Sequence, residues 1–248
     1  MKNAFAVSCW KPNIFHLQQA VACAASIREV GYDDDIVIMT IEDQAVPKLE
    51  RACRDYNVQI RKCEPLVFYA HEHWQRNRSA ACLLDGNKLQ YWTLTEYHSV
   101  VGIDCDCIVH TRSEMLWNRS QFIAFSGPPR PDGNIGPVCS AAMTVNPNMD
   151  MFHEMRELIA ISTFHPETGW NNCGPIKGVE GWNLPHWRFQ SADSLQGFLV
   201  YYFHCLKGIF QANLGRYLGL IVSHAGNMKM SDWYLEKLRH LLGGKMTI

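Results

Sequence analysis

Excess charge of either sign is missing from this 248-residue chain: 23 Lys and Arg stand against 24 Asp and Glu, a net charge of −1, with no basic block. A surface built mainly for nucleic acid or an anionic membrane concentrates positive charge, so neither is predicted as the main partner. No apolar run reaches the length of a membrane span, and residues 1–8 hold too short an apolar run for a signal peptide. That start reads as a first strand, and the expected location is cytoplasmic. Zinc-type cysteine pairs are absent too. Ten cysteines are spread over positions 9, 23, 53, 63, 82, 105, 107, 139, 173 and 205, so they are expected as reduced, buried thiols rather than a disulfide framework. Two glycosylation sequons, at Asn77 and Asn118, have no meaning without secretion. The turn Cys9-Trp10-Lys11-Pro12-Asn13 lacks the glycines of a phosphate-cradling loop. With no repeat, low-complexity segment or linker, residues 1–248 are expected to form one large domain.

What the sequence does have is strand–helix alternation. Strands are predicted at 4–9, 36–39, 58–61 and 100–103. A helix at 14–30 carries Leu17, Ala20, Val21, Ala24, Ala25 and Ile27 near helical spacing and stops at Gly31. Further helices are expected at 46–56, 87–94 and 151–162, and further strands at 122–125 and 141–145. The alternation calls for an α/β fold, with a parallel sheet and helices on both faces. Ligands in such sheets sit at the carboxyl ends of strands. Residues 164–190, rich in Gly, Pro, Asn and Trp, are expected to be an irregular binding loop. Trp170, Trp182, Trp187 and Phe189 there serve either as a platform for sugar faces or as anchors pinning the loop. Residues 231–242, with Trp233, Leu235, Leu238, Leu241 and Leu242 on one stripe and Ser231 or Asp232 as cap, read as a docking helix.

At the end of the apolar run 99–103 stands Asp104-Cys105-Asp106. Strand alternation sends both carboxylates to one side and Cys105 to the other. Two convergent carboxylates call for a cation, and hard oxygen ligands favour magnesium, calcium or manganese, which in turn hold phosphorylated ligands. Two solvated acids at a strand end are the plainer alternative for the tripeptide alone. His71-Glu72-His73-Trp74 lacks a third ligand at recognisable spacing and reads as an exposed loop, which also carries Arg76 and Arg78.

The segment Lys88-Leu89-Gln90-Tyr91-Trp92-Thr93-Leu94-Thr95-Glu96-Tyr97, followed by the strand and Asp-x-Asp, resembles the glycogenin-like glycosyltransferases of family 8, whose "K-L-x-x-W-x-L-T-x-Y" precedes a "D-x-D" strand end. Other signals fall in that family's order. Ala4-Phe5-Ala6-Val7 is similar to its opening strand, and residues 140–147 to its "N-S-G-V-F-V-x-x-P" strand. Gln196-Gly197 with Leu199 resembles "D-Q-G-x-L", and the stretch from His224 through Gly226 to Lys229 resembles the closing "H-x-x-G-x-x-K-P-W".

The resemblance implies a GT-A type, Rossmann-like domain with a mostly parallel sheet. It implies retaining transfer of a sugar from a UDP-sugar to a hydroxyl of a carbohydrate, glycoprotein or small-molecule acceptor, assisted by manganese or magnesium. By the same resemblance Asp104, Asp106 and His224 are metal ligands, and Asp193, Gln196 and Lys229 are catalytic. The implied nucleotide or substrate contacts are Val7, Ser8, Lys88, Asp104, Cys105, Cys139, Ser140, Gly226 and Lys229. The sequence departs from the pattern at Cys139, where the family has Asn, and at Leu195, where it has an acid that Asp193 would replace. In the closing motif His224 stands two residues before Gly226 rather than three, Ser223 holds the strict histidine position, and Met230-Ser231 replaces Pro-Trp. Two other readings stay open: a degenerate relative that binds a nucleotide sugar or glycan without turnover, and a nucleotidyltransferase using the same paired carboxylates.

Overall fold

The computed structural model describes residues 2–10, 13–66, 84–117, 122–125, 137–179, 182–189, 191–209, 211–212 and 222–224, together with Glu236, Arg239 and His240. Four strands run parallel in the spatial order β3-β2-β1-β4: β1 (Lys2–Ser8), β2 (Asp35–Thr40), β3 (Val58–Lys62) and β4 (Tyr97–Asp104). After a short β5 (Cys107–Val109) the chain adds β6 (Phe122–Phe125) and β7 (Cys139–Val145), and β7 pairs antiparallel with both β4 and β6. The sheet is therefore mostly parallel, with a reversed strand inserted beside β4.

Side-chain alternation along each strand divides the core in two. On β1, Phe5 and Val7 join Ile36, Ile38, Val101 and Ile103 on the face covered by α1 (Ile14–Glu29) and α2 (Val46–Ala52). Ala4 and Ala6 join Val37, Met39 and Val100 on the other face, which is packed with Trp92, Trp170, Trp187, Phe198, Tyr202 and Phe203. Asn13 caps α1 by accepting the His16 N–H at 2.9 Å, and Gly31 ends it at φ +87°. Arg28, in the last turn of α1, donates to the carbonyls of Tyr32, Asp34, Tyr56 and Asn57, tying that helix end to the entrance of β3.

The predicted helix over 46–56 is interrupted: α2 stops at Ala52, and Arg54–Tyr56 is a 3₁₀ turn ending in left-handed Asn57. Residues Gly86–Thr93 are helical as expected but as 3₁₀. The third helix, α3 (Met149–Ile161), is capped by Asn148. The stretch expected to be irregular holds four short strands, β8 (Phe164–His165), β9 (Gly169–Trp170), β10 (Ile176–Val179) and β11 (Trp182–Leu184). Three of its aromatics are anchors: Trp170, Trp187 and Phe189 are buried, and the two indole N–H groups donate to Ala192 O and Gly174 O, each at 2.8 Å, while the Trp182 side chain lies outside the described residues. A short α4 (Leu195–Val200) runs on into a π-helical turn, Tyr201–Leu206. Two-residue β12 (Gln211–Ala212) extends the sheet beside β6, and β13 (Val222–His224) pairs antiparallel with β5. The sequence 71–78 and most of 231–242 lie outside the described residues. Among the described residues, no helix is long and apolar enough to cross a membrane.

Candidate functional site

Strand order places a crevice between β1 and β4, where the chain's crossovers diverge to opposite sides of β1. At its carboxyl end Ser8 and Asp104 are register partners, and the Ser8 hydroxyl donates to Asp104 Oδ1 at 2.9 Å. Ile103 faces the α1 side, so Asp104 turns to the other face, where the 3₁₀ segment runs. Lys88 from that segment is 2 % exposed, and its ammonium lies 2.7 Å from Asp104 Oδ1, 3.1 Å from Asp85 Oδ1 and 3.2 Å from Ser140 Oγ. Gln196, on the first turn of α4, reaches the same Ser140 hydroxyl at 3.5 Å. The cleft above is lined by Ser8, Trp10, His16, Leu84, Asp85, Asp104, Cys105 and Asp106.

A glycine makes this arrangement possible. A Cβ at Gly102, two residues before Asp104, would stand 2.2 Å from the Tyr91 ring. The bare strand lets Tyr91 lie flat on β4 and the segment carrying Lys88 approach the sheet. Burial, with Asp104 nearby, pushes the Tyr91 phenol well above its ordinary range, so it stays neutral.

The electrostatics follow from burial and charge. Burial opposes the Lys88 ammonium, but Asp104 and Asp85 outweigh it and hold its pKa well above 10.5. Burial raises the Asp104 carboxyl, as do Asp85 and Asp106, while Lys88 pulls it down; the net direction is upward. At neutral pH Lys88 is the fixed charge of the site.

The sequence-predicted residues separate into three groups. Ser8, Lys88, Asp104, Cys105, Asp106, Ser140 and Gln196 are brought together. The strand ends at Asp104, so alternation does not carry over to Asp106, which stands in the turn before β5; both aspartates line the cleft all the same. Val7 is fully buried in the core and offers a ligand only its backbone. Cys139 begins β7, half-buried, with its thiol pushed up by burial. Asp193 lies off the helix, in the turn before the Ser194 cap, and so is not bound by helical spacing to Gln196. His224 is the register partner of Cys107, one residue past Asp106. Gly226 and Lys229 lie outside the described residues. Asp85 was missed; its spacing of three from Lys88 was the available signal. Trp10 and His16 were missed as well, with no comparable signal.

Asp85, Asp104 and Asp106 supply the hard oxygen donors that magnesium or manganese prefers, and all three line the cleft, with the Lys88 ammonium buried against Asp104 and Asp85. The donor chemistry fits such an ion. The described residues do not complete its sphere, since no three His, Cys, Asp or Glu side chains among them converge on one point. Nor do the carboxylates call for a metal by themselves, because Lys88 already serves as a cation beside Asp104.

Comparison with known proteins bears on the fold alone. No family model matches the sequence, and no curated protein matches it. Among solved structures, the glycosyltransferase GlyE of Streptococcus pneumoniae TIGR4 aligns with a TM-score of 0.50 at 10 % identity, over 95 % of this chain and 51 % of GlyE. The bifunctional glycosyltransferase WbbM aligns with a TM-score of 0.42 at 12 % identity, over 65 % of this chain and 34 % of its own. Galactosyltransferase LgtC, in complex with donor and acceptor sugar analogues, gives 0.40 at 16 % identity, over 63 % and 60 %. The chain thus spans about half of GlyE, which carries the fold comparison. The fold is the Rossmann-like GT-A fold of glycosyltransferases.

Proposed function

We propose that this chain is a metal-dependent, retaining glycosyltransferase that moves a sugar from a UDP-sugar to an acceptor hydroxyl. The observation that carries the reading is the buried Lys88–Asp104 ion pair at the carboxyl end of β4, with Asp106 beside it on the cleft of a GT-A fold. A pair built only for stability has no need to open onto a crevice with two further carboxylates.

Asp104 and Asp106 would hold the divalent ion, with His224 as the further donor that the family resemblance implies. When bound, that ion supplies Lewis acidity toward the diphosphate. Lys88 orients Asp104 from below through its paired oxygens and keeps a positive charge under the diphosphate end. Ser8 fixes the other side of the Asp104 carboxylate. Ser140 and Gln196 reach the site from the opposite strand and helix, where the sugar would lie, and Gln196 offers an amide to its hydroxyls. Lys229 would add charge at the leaving group. No carboxylate is assigned as a covalent nucleophile, since Leu195 occupies the family's acidic position and is buried. The proposal is therefore front-face displacement, in which the leaving phosphate oxygen accepts the acceptor proton.

Calorimetry with UDP, with and without manganese, tests the metal site. UDP affinity should depend on the ion, and Asp106→Asn should remove that dependence while leaving the fold intact; equal affinity with and without chelator overturns the assignment. NMR of the product's anomeric proton tests retention, and a β-linked product from an α-linked donor excludes it. Buried Leu195 also favours a second reading, a binder of nucleotide sugars without turnover, which measurable transfer or slow UDP-sugar hydrolysis eliminates.

A further inference from the structure

Asp85, Asp104 and Asp106 all line the cleft, yet they do not act as one set. Asp104 and Asp106 stand at the end of β4 and in the turn after it, whereas Asp85 precedes the 3₁₀ segment that carries Lys88. Among the described residues no three carboxylates converge on one point, so Asp85 does not close a metal sphere with the other two. Its partner is the Lys88 ammonium, 3.1 Å from Asp85 Oδ1. That ammonium has no open side for a ligand. It is 2 % exposed, and its three N–H groups are crowded by Asp104 at 2.7 Å, Asp85 at 3.1 Å and Ser140 at 3.2 Å. Asp85 is different: its side chain is 32 % exposed, and its second oxygen has no hydrogen-bond or ion-pair partner among the described residues. Lys88 thus anchors one oxygen of this carboxylate and leaves the other as an acceptor on the cleft, beside the ammonium that Ser140 also touches.

We infer that Asp85 reads the sugar of the donor: its open oxygen accepts hydrogen bonds from the hydroxyls of a neutral sugar, and its charge disfavours a donor whose sugar is a uronic acid. This assignment rests on the UDP-sugar reading of the cleft and adds the class of sugar. Two effects act in the same direction. An ionised carboxylate only accepts, so it matches hydroxyl donors, and a hydrogen bond to a charged group is stronger than one between neutral groups. A uronate carboxylate in the same place has no proton to donate at neutral pH. It would meet a like charge, and the nearest described cation is already shared between Asp85 and Asp104.

Calorimetry on the full chain with manganese present provides the test. The probes are UDP and two matched pairs whose sugars differ only at C6: UDP-glucose with UDP-glucuronate, and UDP-galactose with UDP-galacturonate. In the pair with the tighter neutral member, the wild type should bind that member at least about tenfold more strongly than the acid. Asp85→Asn keeps the shape and an oxygen for Lys88 but removes the charge. It should change UDP affinity by less than about twofold, weaken the neutral UDP-sugar about tenfold and strengthen its acidic counterpart about threefold.

The gain for the acid is the telling readout, because a site that is merely disturbed loses affinity for every ligand. An Asp85→Asn variant whose UDP affinity falls together with its UDP-sugar affinity shows that Asp85 only braces Lys88, and overturns the assignment. So does an unchanged preference between the neutral and acidic members, or a wild type that binds both equally. In each of these outcomes the cleft still takes UDP-sugars. A wild type that binds none of the five nucleotides overturns the UDP-sugar reading itself, and the role of Asp85 with it.

Discussion

Residues 2–62 with 97–104 and residues 139–206 hold their side chains in place by different means. In the first region the position of a residue is set by backbone pairing: four parallel strands in unbroken order, and a core that splits by strict alternation into two faces. In the second, strands are two to four residues long apart from β7, several residues adopt left-handed angles, and a π turn follows α4. There the chain is fixed by large rings whose N–H groups seize backbone carbonyls, as Trp170 does with Ala192 and Trp187 with Gly174. The site draws on both: Ser8 and Asp104 come from paired strands, while Ser140 and Gln196 come from the anchored region. Lys88 touches both at once, through Asp104 and through Ser140. A single buried ammonium joins two regions built on different principles.

Removing that ammonium should have the largest effect on the molecule. Lys88→Met leaves Asp104 and Asp85 without their shared cation and should cost about 3–5 kcal/mol, read from urea unfolding. A loss of turnover with unchanged stability would mean that Lys88 serves the ligand and does not join the regions. The pH dependence adds a sign. The native pKa of Lys88 lies above its ordinary 10.5, so its contribution is fully present below pH 10.5 and is lost as pH rises through the native value. The stability difference between wild type and Lys88→Met should therefore stay level up to about pH 10 and shrink above it.

Two glycine substitutions probe the regions separately. At Gly197 a Cβ would lie 1.7 Å from Ala192 O, a carbonyl already engaged by Trp170. At Gly102 it would meet the Tyr91 ring at 2.2 Å. Both overpack, at a cost of about 1–3 kcal/mol, and Gly197→Ala should be the worse because backbone cannot rotate away as a ring can. Chemical denaturation of the two variants ranks them, and Tyr91→Leu should recover part of the loss in Gly102→Ala only. The reverse ranking would show that the anchored region yields more easily than the sheet. Trp187→Phe should cost about 2 kcal/mol, since the N–H to Gly174 is lost and the smaller ring leaves a void in the core.

The same division explains what could be read from sequence. Where position follows from period, the reading was good: strands β1 to β4, α1 with its Gly31 stop, and α3 lie within a few residues of expectation. Asp104 was marked by its place at a strand end, and Lys88 and Gln196 by the family resemblance of their segments. What failed depended on contacts distant in sequence. Tertiary packing turned the 87–94 helix into 3₁₀, and short strands appeared in 164–184 because each pairs with a neighbour that periodicity does not reveal. Asp85 went unread although its spacing of three from Lys88 marked it, because only the inward turn of Lys88 makes that pair part of the site. The alternation argument for Asp106 failed because β4 ends one residue after Ile103.

The smallest expected effect concerns the link between Ser140 and Gln196. At 3.5 Å the Gln196 amide is at the outer edge of a hydrogen bond, whereas Lys88 approaches Ser140 at 3.2 Å and keeps Asp104 and Asp85 if the hydroxyl is lost. Ser140→Ala should therefore cost about 1 kcal/mol, and Gln196→Ala no more than about 0.5. In the double variant the two losses should couple by less than about 0.5 kcal/mol. A Gln196→Ala loss equal to that of Ser140→Ala would mean that the amide braces the buried pair and is not held in reserve for a ligand. A small stability change with turnover lowered by about 10²-fold is the result expected if Gln196 waits at the edge of the network for the sugar.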